Sequence, residues 1–403
     1  MELGTDRALQ PPPQPVGKPN EEGTASAEEA LRQARDRQDR RSDQQVLDDE
    51  EGERRGEETK DRSQERQDRV EVIAQQVVAR PLDGDDGRLD AEGRGEDLAV
   101  NELEDMAAEV SGKEAGLLCA SGTMGNQAAL LTWCRPGDTV LIDELQHLDR
   151  SEKTAFTPRF GQLKKVTYRS DASLMPNTAS MEEELKNGPV KLICIENTHN
   201  YTGGACIDLK RMAEIRSLAD RYGVPVHMDG ARVFNAAAFL GTTVKEIARY
   251  VDSLMFCVSK GLGAPVGSLL CGTRKFISEA KEMRKLLGGA MRQAGIIAAP
   301  AIYALKHNVE RLREDNENAQ FCASLLKDLK KVKAQQNVQT NIMMLDMEGA
   351  GITPQEFCAR AKERGLLIRP IIGSFVRLVF YKGITRSDAE RAAAIVREID
   401  GEL

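Results

Sequence analysis

From about residue 99 onward, short apolar runs alternate with stretches that carry apolar residues at helical spacing. No other feature restricts the possible folds as much. The predicted strands are Ala115–Cys119, Thr139–Ile142, Lys191–Glu196, Pro225–Met228, Ser253–Val258 and Gly267–Cys271. The predicted helices include Asn101–Val110, ended by Ser111-Gly112, and then Gly125–Trp133, Leu209–Tyr222 and Val244–Tyr250. Strands that are apolar along their whole length are buried on both faces. They require helices on each side, which gives an α/β protein with a mainly parallel sheet. Beyond about residue 300 a long helix, Ala301–Leu329, is expected, followed by a smaller βαβ-like tail. The tail reads as a strand at Asn341–Leu345, a helix at Pro354–Arg364, strands near Leu367 and at Val376–Phe380, and a last helix at Ser387–Ile399.

The amino-terminal part has the opposite character. No Phe, Tyr or Trp precedes Trp133, and residues 31–70 contain 24 charged residues of mixed sign. Such a stretch buries too little apolar surface to offset an ordering entropy of ~1–2 kcal/mol per residue. The expected organisation is therefore a disordered or loosely helical extension (1–85), a large domain (86–300) and a small α+β domain (301–403).

Charge and cysteine usage exclude several classes. Lys and Arg number 56 against 64 Asp and Glu, for a net charge of −8, which argues against nucleic acid as a partner. No apolar run reaches the ~18 residues that suggest a membrane span. Met1–Asp6 has neither a basic nor an apolar signal region, so no secretory leader is expected. The eight cysteines form no C-x-x-C pair, and several sit in apolar runs such as Leu192-Ile193-Cys194-Ile195. They read as buried thiols in a reducing compartment, so the expected location is cytoplasmic. The four histidines show no metal-ligand spacing, and no metal site is expected.

Ligands of α/β sheets sit beyond the carboxyl ends of the strands, and three segments qualify there. Ser121-Gly122-Thr123-Met124-Gly125-Asn126 follows a strand and opens a helix, which suits an anion; plain helix capping explains it equally well. His227-Met228-Asp229-Gly230-Ala231-Arg232 places a carboxylate at a strand end. It can hold a protonated heterocyclic nitrogen or simply pair with Arg232. Ser259-Lys260-Gly261-Leu262-Gly263-Ala264-Pro265-Val266-Gly267 places a lysine among small residues. Partial desolvation there would make it a Schiff-base nucleophile; a surface lysine in a turn is the alternative.

In combination and order these segments resemble one family. It is the low-specificity L-threonine aldolases of the aromatic amino acid β-eliminating lyase group, pyridoxal 5'-phosphate (PLP) enzymes of fold type I. The resemblance covers about 99–403. Val100–Glu104, Glu196-Asn197-Thr198-His199-Asn200, Leu287–Gly295, Gln339-Thr340-Asn341 and Val376–Val379 also carry it. It implies a PLP-dependent transferase-like fold in which Lys260 carries the cofactor and Asp229 pairs with the pyridine nitrogen. Ser121, Gly122 and Thr123 would hold the phosphate. His147 would stack on the ring and position the base or water that takes the substrate's hydroxyl proton. Arg232 and Arg377 would hold the cofactor's oxygen and the substrate carboxylate. Lys285 and Arg292 would lie near substrate and phosphate at a subunit interface.

The implied reaction is retro-aldol cleavage of L-threonine or L-allo-threonine to glycine and acetaldehyde, by a homodimer or homotetramer. Departures from the family pattern cluster on the substrate side. Arg94 replaces an aromatic residue, Leu148-Asp149-Arg150-Ser151 replaces aromatic residues after His147, and Lys186-Asn187-Gly188-Pro189 lacks a histidine. Only Arg41-Ser42-Asp43 approaches the family's initial Arg-Ser-Asp-Thr strand. β-Elimination on another amino acid, or a catalytically impaired PLP-binding subunit, are the alternatives.

Overall fold

The computed structural model describes residues 97–403. The expectations for 1–85, Arg41–Asp43 and Arg94 lie outside the described residues. Asp97, the first described residue, accepts hydrogen bonds from the Ala99 and Val100 amides and so caps helix Leu98–Ser111. Its other oxygen takes the Gly295 amide at 2.6 Å.

Seven strands form the main sheet: β1 (Ala115–Cys119), β2 (Thr139–Asp143), β3 (Lys164–Tyr168), β4 (Leu192–Glu196), β5 (Val226–Asp229), β6 (Ser253–Cys257) and β7 (Ser268–Gly272). Their order is β1-β7-β6-β5-β4-β2-β3. From β3 through β6 all pairs are parallel, whereas β7 runs antiparallel to both β6 and β1. β1 therefore runs with the parallel strands. The carboxyl ends of β1, β2, β4, β5 and β6 all reach the same edge of the sheet.

Strands β4, β5, β6 and β7 are buried at every residue. That is why their sequences are continuous apolar runs rather than alternations. Edge strand β3, exposed along most of its length, carries no such run and was not anticipated. Neither was helix Thr178–Asn187, capped by Asn177.

The single helix expected over Ala301–Leu329 is two helices, Gly295–His307 and Leu312–Ser324. Tertiary hydrogen bonds impose the break. The buried Asn308 side chain donates to the Leu262 carbonyl at 2.6 Å, and Arg311 donates to that of Gly261 at 3.0 Å.

The tail is not βαβ-like. Strands β8 (Lys333–Ala334), β9 (Ile342–Asp346), β10 (Arg369–Pro370) and β11 (Phe375–Val379) form an antiparallel sheet in the order β10-β11-β9-β8. Leu367, placed in a strand by its apolar character, is 79 % exposed and precedes β10. A second core of Ala319, Cys322, Phe357, Val376, Leu378 and Val396 joins this sheet to helices Pro354–Glu363 and Arg386–Glu402. Ala298, Ala301, Leu305 and Leu312 pack instead into the main core.

All eight cysteines are free thiols, and every one except Cys358 is buried. Among the described residues no helix is long and apolar enough to cross a membrane.

Candidate active site

Polar side chains that are buried without a structural reason mark functional sites, because each must recover its lost hydration. Here they gather at the carboxyl edge of the sheet. Asp229, the last residue of β5, is 2 % exposed. Its Oδ1 accepts the Ala231 amide at 3.1 Å and its Oδ2 accepts Asn126 Nδ2 at 3.0 Å. Asn126 Nδ2 also donates to Glu152 Oε1 at 3.0 Å, and Gln127 Nε2 donates to Glu152 Oε2 at 3.0 Å. His147 Nδ1 lies 3.1 Å from Glu152 Oε1. The bond to Glu152 raises the pKa of His147 above its ordinary value, outweighing the desolvation that lowers it.

These contacts fix the state of a second histidine. Asn126 spends its NH2 group on two carboxylates, so its Oδ1 is the acceptor facing His227 Nε2 at 3.2 Å, and Nε2 carries the proton. Trp133 Nε1 donates to Ser253 Oγ, whose own proton then goes to His227 Nδ1 at 2.9 Å. His227 is thus neutral, and burial pushes its pKa down to about 4.

After β4, Glu196 accepts the backbone amides of His147 at 2.9 Å and Asn200 at 2.8 Å. His199 Nε2 meets Asp143 Oδ1, at the end of β2, at 3.2 Å. Burial disfavours a charged His199, but Glu196 and Asp143 together outweigh it and raise its pKa. Asn200 Oδ1 accepts Arg377 from β11 at 2.6 Å. Desolvation, helped by the charges of Arg232 and Arg369, lowers Arg377 to about 10. Desolvation lowers Arg232 as well. The buried Nε atoms of both arginines take no partner from the described residues.

Lys260 follows β6 in a loop that needs left-handed backbone at Gly263 (φ 79°) and Gly267 (φ 113°). A Cβ on Gly261 would stand 2.7 Å from Leu312, so this loop lies tightly on the segment that carries Asn308 and Arg311. Lys260 itself is exposed. The desolvation expected from its small neighbours is thus not provided by them, because glycines bring no side chain to cover it.

Residues 85–350 match the family model for beta-eliminating lyases. The chain belongs to the beta-eliminating lyase family. It is thereby a PLP-dependent lyase. It is 33 % identical to the low-specificity L-threonine aldolase 1 of Arabidopsis thaliana, over 78 % of this chain and 92 % of the relative. It is 36 % identical to the low specificity L-threonine aldolase of Escherichia coli K12, over 74 % and 89 %. Among solved structures, a threonine aldolase from Leishmania major superposes with a TM-score of 0.64. It covers 81 % of this chain and 95 % of that one at 16 % identity, a likeness of fold.

Within this lyase, the structure brings His147 and Asp229 into one hydrogen-bonded group and sets Arg232 and Arg377 within electrostatic reach of each other. Ser121 caps helix Gly122–Trp133 by accepting the Met124 amide at 3.2 Å, so the capping explanation holds for that oxygen. Gly122 has a packing reason to be glycine, since a Cβ there would meet Cys257 Sγ at 2.8 Å. Ser121 and Thr123 are exposed at this helix start, and Lys285 and Arg292 are also exposed.

The sequence alone assigns no individual role to Asn126, Glu152, Glu196, Asn200 or Tyr201. Glu196 and Asn200 stood in a motif that signalled them. Tyr201 partly restores the aromatic character missing after His147. Its ring centroid lies 6.4 Å from that of His147, and its hydroxyl is 3.0 Å from Ser151 Oγ.

Proposed function

We propose that this lyase cleaves L-threonine or L-allo-threonine to glycine and acetaldehyde by retro-aldol chemistry. The observation that carries the reading is the gathering of polar groups at one sheet edge. They are a buried Asp229, a reachable Lys260 and two arginines whose buried Nε atoms lack protein partners. This donor set fits PLP and an amino acid.

Lys260 would hold the cofactor covalently, Asp229 would pair with its ring nitrogen, and Arg232 would bind its ring oxygen. The helix start at Ser121, Gly122 and Thr123, with both hydroxyl residues exposed, suits the phosphate, with Arg292 adding positive charge. Bound PLP supplies the electron sink that lets a bond at Cα break. Arg377, steadied by Asn200, would grip the substrate carboxylate through its planar fork, with Arg232 and Lys285 beside it. His147 would position the base or water that removes the β-hydroxyl proton. Two relatives named as L-threonine aldolases, 33 % and 36 % identical, support this choice of substrate.

The same reading makes the enzyme a cytoplasmic homodimer or homotetramer, with Lys285 and Arg292 serving at a subunit interface. Product analysis with L-threonine tests the activity. Equal yields of glycine and acetaldehyde are expected; ammonia with a keto acid would instead assign β-elimination.

A further inference from the structure

We propose that Glu152 is a positioning residue for this lyase: its carboxylate fixes which nitrogen of His147 carries the proton. Through Asn126 it also ties that imidazole to Asp229, so the two groups act as one unit. The inference deepens the proposed function and rests on it for the roles of His147 and Asp229.

The geometry is specific. Glu152 closes a π-helical turn, Leu148–Glu152, that begins directly after His147. Such turns are uncommon and concentrate at functional sites. The turn sends an acidic side chain inward, where it is 2 % exposed. Three donors meet it there: Asn126 and His147 at one oxygen, Gln127 at the other. Gln127 is itself held, because its Oε1 accepts the Ala155 amide at 2.6 Å. A ring nitrogen of His147 and one carboxylate oxygen each of Glu152 and Asp229 all lie within 4.8 Å of one another.

Burial raises the pKa of Glu152, and the bonds from His147, Gln127 and Asn126 oppose that rise. As the ionised carboxylate these three bonds favour, Glu152 accepts only, which makes His147 Nδ1 the donor and leaves Nε2 of the partly exposed ring for the site. Two carboxylates sharing one amide group favour a positive charge nearby, and the Glu152 bond with the Asp229 charge accordingly raises the pKa of His147. The charged and titratable groups facing His147 are Glu152, Asp229 and Glu196, with the Tyr201 ring alongside. Of these, only Glu152 bonds the imidazole directly.

The test is the NMR titration of His147 in full-length protein, as purified and with PLP added, beside Glu152→Gln and Glu152→Asp. The glutamine keeps the shape and removes the charge. Its His147 midpoint should fall by about one pH unit or more, with the aspartate variant in between. The limb of the kcat/KM profile that His147 sets should move the same way. A midpoint unchanged in a Glu152→Gln protein that melts like wild type would overturn the proposal. If that variant does not fold, the ring-nitrogen shifts of wild-type His147 decide. A proton on Nδ1 supports the inference, and an Nε2–H tautomer at neutral ring charge refutes it. Failure of aldolase activity alone leaves the titration result standing, so the two readings fail separately.

Discussion

Asp229 and His227 lie two residues apart on β5, yet they occupy opposite electrostatic situations. Asp229 points into the site, whereas His227 is enclosed as a neutral link between Asn126 and Ser253. That link has a pH consequence. In the unfolded chain the imidazole titrates near 6.5, but in the folded protein it titrates at about 4. Between those values the unfolded state binds more protons, so stability falls as pH drops from about 6.5 to about 4, by up to roughly 3 kcal/mol. Denaturant unfolding across this range should show a steeper fall in wild type than in His227→Gln. An equal slope in both would refute the assignment.

A second residue-scale prediction concerns Arg377. Lysine cannot reproduce the two-pronged contact with a carboxylate. Arg377→Lys should therefore raise KM for L-threonine about tenfold or more, with a smaller change in kcat. Steady-state kinetics check this, and an unchanged KM would place the substrate carboxylate elsewhere.

At the scale of elements, the break between helices Gly295–His307 and Leu312–Ser324 serves the lysine loop. Asn308 and Arg311 hold the carbonyls of Leu262 and Gly261, immediately after Lys260. Asn308→Ala leaves the buried Leu262 carbonyl unpaired, a loss of ~1–3 kcal/mol. The melting temperature should fall, and the rise produced by added PLP should shrink. Differential scanning calorimetry with and without PLP would measure both; an undiminished PLP response would separate the break from the cofactor loop.

The break also shows what the sequence conceals. Central strands were legible because complete burial writes itself as an apolar run, and Asp229, Arg232 and Lys260 stood out at the ends of such runs. His307-Asn308-Val309-Glu310 has no proline or glycine to announce an interruption; hydrogen bonds to a loop some fifty residues away impose it. β3 was invisible for the converse reason, since an exposed edge strand has little apolar content. Glu152 and Asn126 were missed because their partners converge only in three dimensions. The Asn126–Asp229 contact spans 103 positions.

At the scale of the whole molecule, one sheet edge collects contributions from β1, β2, β4, β5 and β6, and β11 of the smaller sheet adds Arg377. Such gathering is what a mainly parallel sheet makes possible: each of the strands running in the common direction delivers its following loop to the same side. Lys260, Lys285 and Arg292 remain exposed on a single chain, so a neighbouring subunit is expected to complete the enclosure. PLP occupancy should then fall when the protein is diluted below its assembly concentration. Occupancy independent of dilution would show that one chain suffices.

In the proposed function Lys260, and no other lysine, carries PLP opposite Asp229. Borohydride reduction of the PLP-loaded protein, followed by peptide mass spectrometry, tests it most directly. A stable pyridoxyl adduct is expected on the peptide containing Lys260, absent in Lys260→Ala. An adduct on another lysine, or none in protein that has been loaded with PLP, would contradict it.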